Sequence, residues 1–143
     1  MQGKIALVTG ATRGIGRAIA EELSSKGAFV IGTATSEKGA EAISAYLGDK
    51  GKGLVLNVTD KESIETLLEQ IKNDFGDIDI LVNNAGITRD NLLMRMKDDE
   101  WFDIMQTNLT SVYHLSKAML RSMMKKRFGR IINIGSVVGS MGN

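Results

Sequence analysis

The chain has no cysteine, no proline and only one histidine in its 143 residues. Without cysteine it forms no disulfide, uses no thiolate in catalysis and holds no metal through sulfur, and a single histidine cannot supply a cluster of imidazole ligands. We therefore predict that the protein has no metal site. The absence of proline carries no functional implication.

An excess of charge of either sign is also missing. Lysine and arginine total 18, aspartate and glutamate total 17, and the net charge is +1. Such a chain has no overall field that attracts nucleic acid or an anionic membrane, so an acidic partner has to be met by a local patch. The apolar run between Lys4 and Thr9 is too short for a signal peptide or a membrane span. We expect a cytoplasmic protein that binds neither nucleic acid nor membranes.

The composition, 43% hydrophobic and 24% charged, is typical of one globular domain over residues 1–143. Short apolar runs alternate with longer amphipathic segments, which predicts β-α-β units in a Rossmann-type, doubly wound parallel sheet of the α/β class. The predicted strands are Ile5–Thr9, Ala28–Thr33, Gly53–Asn57, Asp79–Val82 and Arg130–Gly135. The predicted helices are Ile15–Lys26, Glu37–Leu47, Lys61–Phe75 and Asp98–Lys126, the last with a kink or break.

Helix ends are marked by residues of two kinds. Ser36 and Asp60 are predicted N-caps of the second and third helices, and Gly27 and Gly48 are predicted stops. Doubly wound sheets often have six or more strands. Because the predicted fifth strand ends about eight residues before Asn143, we expect the front five strands of a sheet that is incomplete at its C-terminal side.

A glycine-rich segment, Thr9–Gly16, follows the first predicted strand and opens the first helix. Glycines there allow a tight turn and let the backbone approach a pyrophosphate at the helix N-terminus. The alternative is an ordinary turn between a strand and a helix. The position at the start of a β-α-β unit favours a dinucleotide-binding loop.

Arg13 within this loop bears on which dinucleotide is bound. Enzymes that use NAD usually have an acidic residue roughly 20 positions further on, which accepts from the ribose 2′-hydroxyl. Here that count from Gly16 falls on Ser36, and the first carboxylate after the second predicted strand is Glu37. We predict that Arg13 binds a 2′-phosphate and favours NADP(H); the alternative is a solvated loop arginine.

A second motif, Asn83–Gly86, follows the fourth predicted strand. Together with Thr9–Gly16 at this separation, it closely resembles the short-chain dehydrogenase/reductase family. Residues 87–96, with the sequence ITRDNLLMRM, resemble the bacterial β-ketoacyl-acyl-carrier-protein reductases within that family. The resemblance covers essentially the whole chain. It implies that NADPH delivers a hydride to the 3-keto group of an acyl chain on acyl carrier protein, within a homotetramer.

The same resemblance implies an NAD(P)-binding domain and assigns its cofactor-binding residues. They are Gly10, Thr12, Arg13 and Ile15 in the loop, Thr35 at the adenosine-phosphate end, Asn57 and Val58 at the adenine rim, and Asn84, Ala85 and Gly86 beside the ribose and nicotinamide. Ligands of such folds bind at the carboxyl ends of parallel strands. The alternative for these residues is helix capping and turn formation.

Two catalytic residues are implied in the same way. Ser136 follows the fifth predicted strand, where its hydroxyl would hydrogen-bond the substrate carbonyl and the developing alkoxide. Asn108 would hold a water that relays protons. The alternatives are a serine that ends a strand and an asparagine that bends a helix locally.

The family also uses a tyrosine and a lysine four residues later, on the helix after the serine. Tyr113 and Lys117 have this spacing, but they precede Ser136 by 23 and 19 residues, so we interpret them as packing or helix-surface residues. The chain ends at Asn143 without such a pair after Ser136. We expect these residues alone to be inactive, whether the enzyme was shortened or only its front part is represented.

A basic cluster of Lys125, Lys126, Arg127 and Arg130 is the predicted docking site for acyl carrier protein; the alternative is that these charges complement the helix dipole. Methionines along the last helix indicate core or subunit contacts more than an acyl pocket. Two other functions remain open. One is a short-chain reductase with another ketone or alcohol substrate, and the other is a non-catalytic module that binds NADP.

Overall fold

The computed structural model describes residues 2–57, 60–84, 113–117, 119, 123, 124 and 129–133. Strands and helices alternate along the chain as predicted. The strands are β1 (Ile5–Val8), β2 (Phe29–Ala34), β3 (Gly51–Val55), β4 (Ile80–Asn83) and β5 (Arg130–Asn133). The helices are α1 (Gly14–Ser25), α2 (Glu37–Leu47) and α3 (Lys61–Asp74), with a 3₁₀ turn at Gly48–Lys50.

The five strands form one sheet in the order β3-β2-β1-β4-β5, and all neighbouring strands are parallel. Leu7 lies opposite Ile31 on one side and opposite Leu81 on the other. β2 and β3 are thus added in turn on one side of β1, and β4 and β5 are added in turn on its other side. The predicted doubly wound α/β class is confirmed.

Side chains that alternate along each strand divide the core into two layers, as the two-residue period of a strand requires. Leu7, Ile31 and Leu81 face the layer formed with α3 and with the helical residues 115, 119 and 123. Ala6, Val8, Val30, Ile80 and Val82 face the layer formed with α1 and α2. Both faces of the central strands are therefore buried, which explains their nearly continuous apolar sequences.

The predicted helix caps are confirmed. The Ser36 hydroxyl accepts a hydrogen bond from the Gly39 backbone N–H at 3.1 Å, and the Asp60 carboxylate accepts from that of Glu62 at 3.0 Å. Gly48 ends α2 with a φ of 62°, in the left-handed region that favours glycine. The α2 boundaries agree with the prediction at both ends.

The third strand begins two residues earlier than predicted. Gly51 pairs with Val30 and Gly53 with Gly32, yet glycine carries no apolar side chain that would mark a strand. A Cβ on Gly53 would collide with the Ala40 carbonyl oxygen, so α2 lies directly on the backbone of β3. A side chain at position 53 is excluded by this helix, and one at position 51 is excluded by the Val30 carbonyl of β2.

The described residues 113–117, 119, 123 and 124 are helical, in agreement with the predicted fourth helix, whose other residues lie outside the described ones. Leu115, Met119 and Met123 are buried, so the core-packing role expected of the methionines is observed at two of them. Among the described helices, none has the length and apolar character needed to span a membrane.

Candidate functional site

The sheet has one position where the strand order reverses, between β1 and β4. α1, which follows β1, packs on one face of the sheet, whereas the described helical residues between β4 and β5 pack on the other. At such a reversal a crevice opens at the carboxyl ends of the two strands. The glycine-rich loop follows β1, and Asn84 follows β4. The glycine-rich loop and the described part of the second motif, Asn83 and Asn84, therefore meet at the place where this class of fold binds ligands.

Thr9 at the end of β1 makes hydrogen bonds to the end of β4, on the other side of this crevice. Its hydroxyl accepts a hydrogen bond from the Asn84 backbone N–H at 2.9 Å and donates to the Val82 carbonyl at 3.4 Å. Its own backbone N–H donates to the same carbonyl at 3.1 Å. Thr9 is buried, so these bonds are shielded from water and set the spacing between the ends of β1 and β4.

The Asn84 side chain makes a second connection across the crevice. Its amide donates to the Gly10 carbonyl at 3.0 Å. A Cβ added to Gly16 would collide with this carbonyl and would lie 2.5 Å from the Asn84 amide nitrogen. The first turn of α1 thus lies against the loop and the end of β4 with no space for a side chain, which explains the last glycine of the motif.

Neighbouring elements hold the other side of the loop. The Gly10 backbone N–H donates to the Thr33 hydroxyl at 3.2 Å, and the Ala11 backbone N–H donates to the Thr33 carbonyl at 2.9 Å. The Tyr46 hydroxyl donates to the Ala11 carbonyl at 2.6 Å. By contrast, residues 12–15 are exposed, and Ile15 is 60% exposed. Hydrogen bonds to the protein therefore hold the loop at Gly10 and Ala11, whereas residues 12–15 are exposed to solvent.

The N-terminus of α1 differs from those of α2 and α3. Its N-cap, Arg13, has an extended backbone and makes no side-chain cap bond, and its first turn has no acidic residue. Each of the other two helices has a side-chain cap and an acidic first turn. Gly14 begins α1 with a φ of 63°. Backbone N–H groups and the positive end of the helix dipole are therefore available to bind an anion at this point.

The carboxyl ends of β2 and β3 extend the site along the same edge. Thr35 follows β2 and Asn57 lies two residues after β3, and both are exposed. The hydroxyl of Thr12 is near the first turn of α2, because it would lie 3.4 Å from a Cβ on Gly39. One sheet edge therefore carries the described residues of the predicted cofactor set, namely Gly10, Thr12, Arg13, Ile15, Thr35, Asn57 and Asn84.

The remaining predicted site residues, Val58, Ala85, Gly86, Asn108 and Ser136, lie outside the described residues, as do Lys125, Lys126 and Arg127 of the predicted docking cluster. Arg130 is described and exposed, and it begins β5. It therefore lies at the amino-terminal edge of the sheet, opposite the crevice edge.

Tyr113 and Lys117 lie on one helix face, as their spacing predicts, and the lysine Nζ donates to the tyrosine hydroxyl at 3.3 Å. Tyr113 is 57% exposed, whereas Leu115 on the same helix is buried. The exposure supports the interpretation of this pair as a feature of the helix surface.

Sequence reasoning missed Thr33 and Tyr46 as parts of the site. Thr33 occupies the end of a strand, and Tyr46 is an aromatic residue on an amphipathic helix, so neither position has a local functional signature. Burial raises the pKa of Tyr46 to about 12, an effect that the nearby Arg17 guanidinium opposes. The hydroxyl therefore stays protonated and remains a donor to Ala11 across the physiological pH range.

Comparisons with known proteins agree with this geometry. A family model described as short chain dehydrogenase matches residues 4–143. The 3-oxoacyl-acyl-carrier-protein reductase FabG of Haemophilus influenzae is 98% identical over 143 residues, 100% of this chain and 59% of that protein. The proteins of the same name from Escherichia coli and Pseudomonas aeruginosa are 75% and 65% identical, over 99% and 100% of this chain and 58% and 59% of their own lengths. The chain therefore spans less than two thirds of the length of these relatives.

Proposed function

The chain belongs to the short-chain dehydrogenase family, and we propose that it forms the cofactor-binding part of an NADPH-dependent 3-oxoacyl-acyl-carrier-protein reductase. In this proposal, residues 1–143 contribute to one NAD(P)-binding domain. The whole protein reduces a 3-oxoacyl thioester on acyl carrier protein to the 3-hydroxyacyl product. Relatives that are 98% and 75% identical to this chain are named 3-oxoacyl-acyl-carrier-protein reductases, which supports this substrate class.

The observation that carries the cofactor proposal is the α1 N-terminus. It has no side-chain cap and no first-turn carboxylate, and it opens at the strand-order reversal between β1 and β4. A pyrophosphate bound there accepts from backbone N–H groups and interacts with the helix dipole. The glycines of the loop leave the backbone accessible for this contact.

A preference for NADP(H) over NAD(H) is supported by Arg13 in the loop after β1 and by the residues that follow β2. Arg13 is exposed, and no carboxylate lies between β2 and the Ser36 cap. The Ser36 hydroxyl already accepts from the Gly39 N–H, so its own proton is available to donate to a phosphate oxygen. A guanidinium and hydroxyl groups suit a 2′-phosphate, whereas the ribose 2′-hydroxyl of NAD is usually bound by a carboxylate.

Five further residues have proposed roles. Val58 contacts the adenine, and Ala85 and Gly86 contact the ribose and nicotinamide. Ser136 donates a hydrogen bond to the substrate carbonyl oxygen and stabilises the alkoxide that develops there. Asn108 orders a water for proton relay. The nicotinamide, when bound, supplies the hydride.

The partner proposal concerns a negatively charged carrier. Lys125, Lys126, Arg127 and Arg130 form a basic cluster in sequence, to which acidic acyl carrier protein would bind by charge complementarity. The whole enzyme is proposed to be a homotetramer located in the cytoplasm.

The test is an assay of the whole protein that contains this chain. NADPH consumption is followed with a 3-oxoacyl thioester and, separately, with simple ketones, after NADPH and NADH affinities have been measured by titration. We expect tight NADPH binding and turnover of the thioester. Turnover of ketones alone would identify a reductase of another substrate, and binding without any turnover would identify a non-catalytic NADP module.

A further inference from the structure

We propose that Tyr46 is a positioning residue for the dinucleotide loop and that its hydroxyl sets the orientation of the backbone that contacts the cofactor phosphates. Tyr46 lies in the last turn of α2, 35 residues from the loop residue that it contacts. The inference rests on the proposed function and deepens it, because it assigns a loop-positioning role to a residue outside the glycine-rich motif.

The peptide unit between Ala11 and Thr12 links the tyrosine to the exposed part of the loop. The Tyr46 hydroxyl donates to the Ala11 carbonyl oxygen at 2.6 Å. Because a trans peptide is planar, the N–H of Thr12 points in the opposite direction to that carbonyl. Fixing the Ala11 oxygen on the α2 side therefore fixes a backbone donor directed away from the tyrosine, at the start of the exposed segment 12–15.

Tyr46 contacts the loop from the interior of the protein. Ala11 is fully buried, so the hydroxyl reaches the loop from its protein side. Residues 12–15 are exposed and have little side-chain packing to hold them. The loop conformation consequently depends on the hydrogen bonds that its backbone makes with Thr33, Tyr46 and Asn84. The Tyr46 hydroxyl bonds the Ala11 carbonyl, which belongs to the same peptide unit as the Thr12 N–H.

Tyr46 is itself held in place by residues of α1. The Arg17 guanidinium carbon lies 4.4 Å from the centroid of the tyrosine ring, and the Arg17 Nε lies 3.2 Å from the Glu21 carboxylate. Arg17 and Glu21 belong to α1, whose N-terminus is the proposed phosphate site. The ring therefore connects α2, the loop and α1, so that a displaced ring would alter the loop relative to the helix terminus.

The experiment uses the whole protein and two matched substitutions, Tyr46→Phe and Tyr113→Phe. Each removes one hydroxyl and keeps the ring, but Tyr113 is exposed and contacts Lys117. NADPH affinity is measured by fluorescence titration, well below the unfolding temperature of each variant. We expect Tyr46→Phe to raise the NADPH Kd roughly three- to tenfold, because NADPH binding then has to order the peptide that this hydrogen bond otherwise holds, and Tyr113→Phe to leave it unchanged.

Steady-state kinetics separate positioning from general stability. Tyr46→Phe should raise the KM for NADPH and leave the KM for the acyl substrate unchanged, whereas a purely structural role would lower the unfolding temperature without altering NADPH affinity. Equal NADPH affinity in wild type and Tyr46→Phe would overturn the inference alone. Failure of the wild type to bind NADPH would overturn the proposed function and the inference together.

A second variant keeps the test decisive if Tyr46→Phe does not fold. Arg17→Lys retains the positive charge near the loop but loses the planar group that stacks on the Tyr46 ring. We expect the NADPH Kd to rise about twofold, because the ring is less firmly held. An unchanged Kd in this folded variant would contradict the conclusion that the Arg17 contact holds the ring in place.

Discussion

The Asn84 side-chain amide donates a hydrogen bond to the Gly10 carbonyl at 3.0 Å, although the two residues are 74 positions apart in the chain. This bond joins the end of β4 to the loop after β1, across the crevice where the strand order reverses. It explains why the asparagine of the second motif and the glycines of the first belong to one site. The first turn of α1 rests on the same pair of groups at Gly16.

Asn84→Asp replaces a donor with an acceptor at this contact. A carboxylate oxygen would then face the Gly10 carbonyl oxygen, and we expect the free energy of unfolding to fall by about 1–3 kcal/mol. Urea denaturation measures this change. Asn73→Asp, on the exposed surface of α3, is the control and should cost no more than about 0.5 kcal/mol. Equal stabilities of the two variants would show that the Asn84 bond contributes little.

Gly16→Ala tests the close approach of α1 to the loop. The added methyl group would collide with the backbone carbonyl of Gly10, and a backbone atom cannot rotate away as a flexible side chain can. We expect a loss of about 1–3 kcal/mol in stability together with weaker NADPH binding. Gln70→Ala on exposed α3 should change stability by less than about 0.5 kcal/mol. A fully stable Gly16→Ala variant with normal NADPH affinity would refute this account of the glycine.

Arg13→Ala tests the choice between the two dinucleotides. A charge-assisted hydrogen bond to a 2′-phosphate contributes about 1.5–3 kcal/mol, so the NADPH Kd should rise roughly tenfold to a hundredfold. NADH has no 2′-phosphate, so its Kd should stay the same. Lys72→Ala, which removes an exposed charge from α3, should affect neither. An unchanged NADPH Kd in Arg13→Ala would exclude this role for the arginine.

The raised pKa of Tyr46 predicts how stability changes at high pH. Burial favours the neutral phenol and raises its pKa from 10.0 to about 12, so the unfolded chain loses this proton at lower pH than the folded one. The stability that the neutral Tyr46 phenol contributes is therefore fully present below pH 10 and is lost as the pH rises toward about 12. Denaturation at pH 9 and pH 11 measures the free energy of unfolding. We expect it to fall more between these two pH values in wild type than in Tyr46→Phe. An identical fall in unfolding free energy in the two proteins would contradict the raised pKa of Tyr46.

Local signals predicted much of this fold. The ends of α2 follow from an N-cap serine and a glycine with a left-handed backbone, both of which act within four residues of the helix end. The start of β3 was predicted two residues late, because Gly51 and Gly53 are strand residues only through their pairing with β2 and their contact with α2. No property of these glycines considered alone indicates that environment.

The sequence by itself determined the order of strands and helices, the position of the glycine-rich loop and the absence of a carboxylate at the end of β2, because these follow from short-range periodicity and residue type. Only the tertiary structure decided which side chains hold the loop. Thr33, Tyr46 and Asn84 contact it from 23, 35 and 74 residues away. Such contacts arise when parallel strands place their carboxyl ends at one edge, so they depend on sheet order and helix packing instead of on any local pattern.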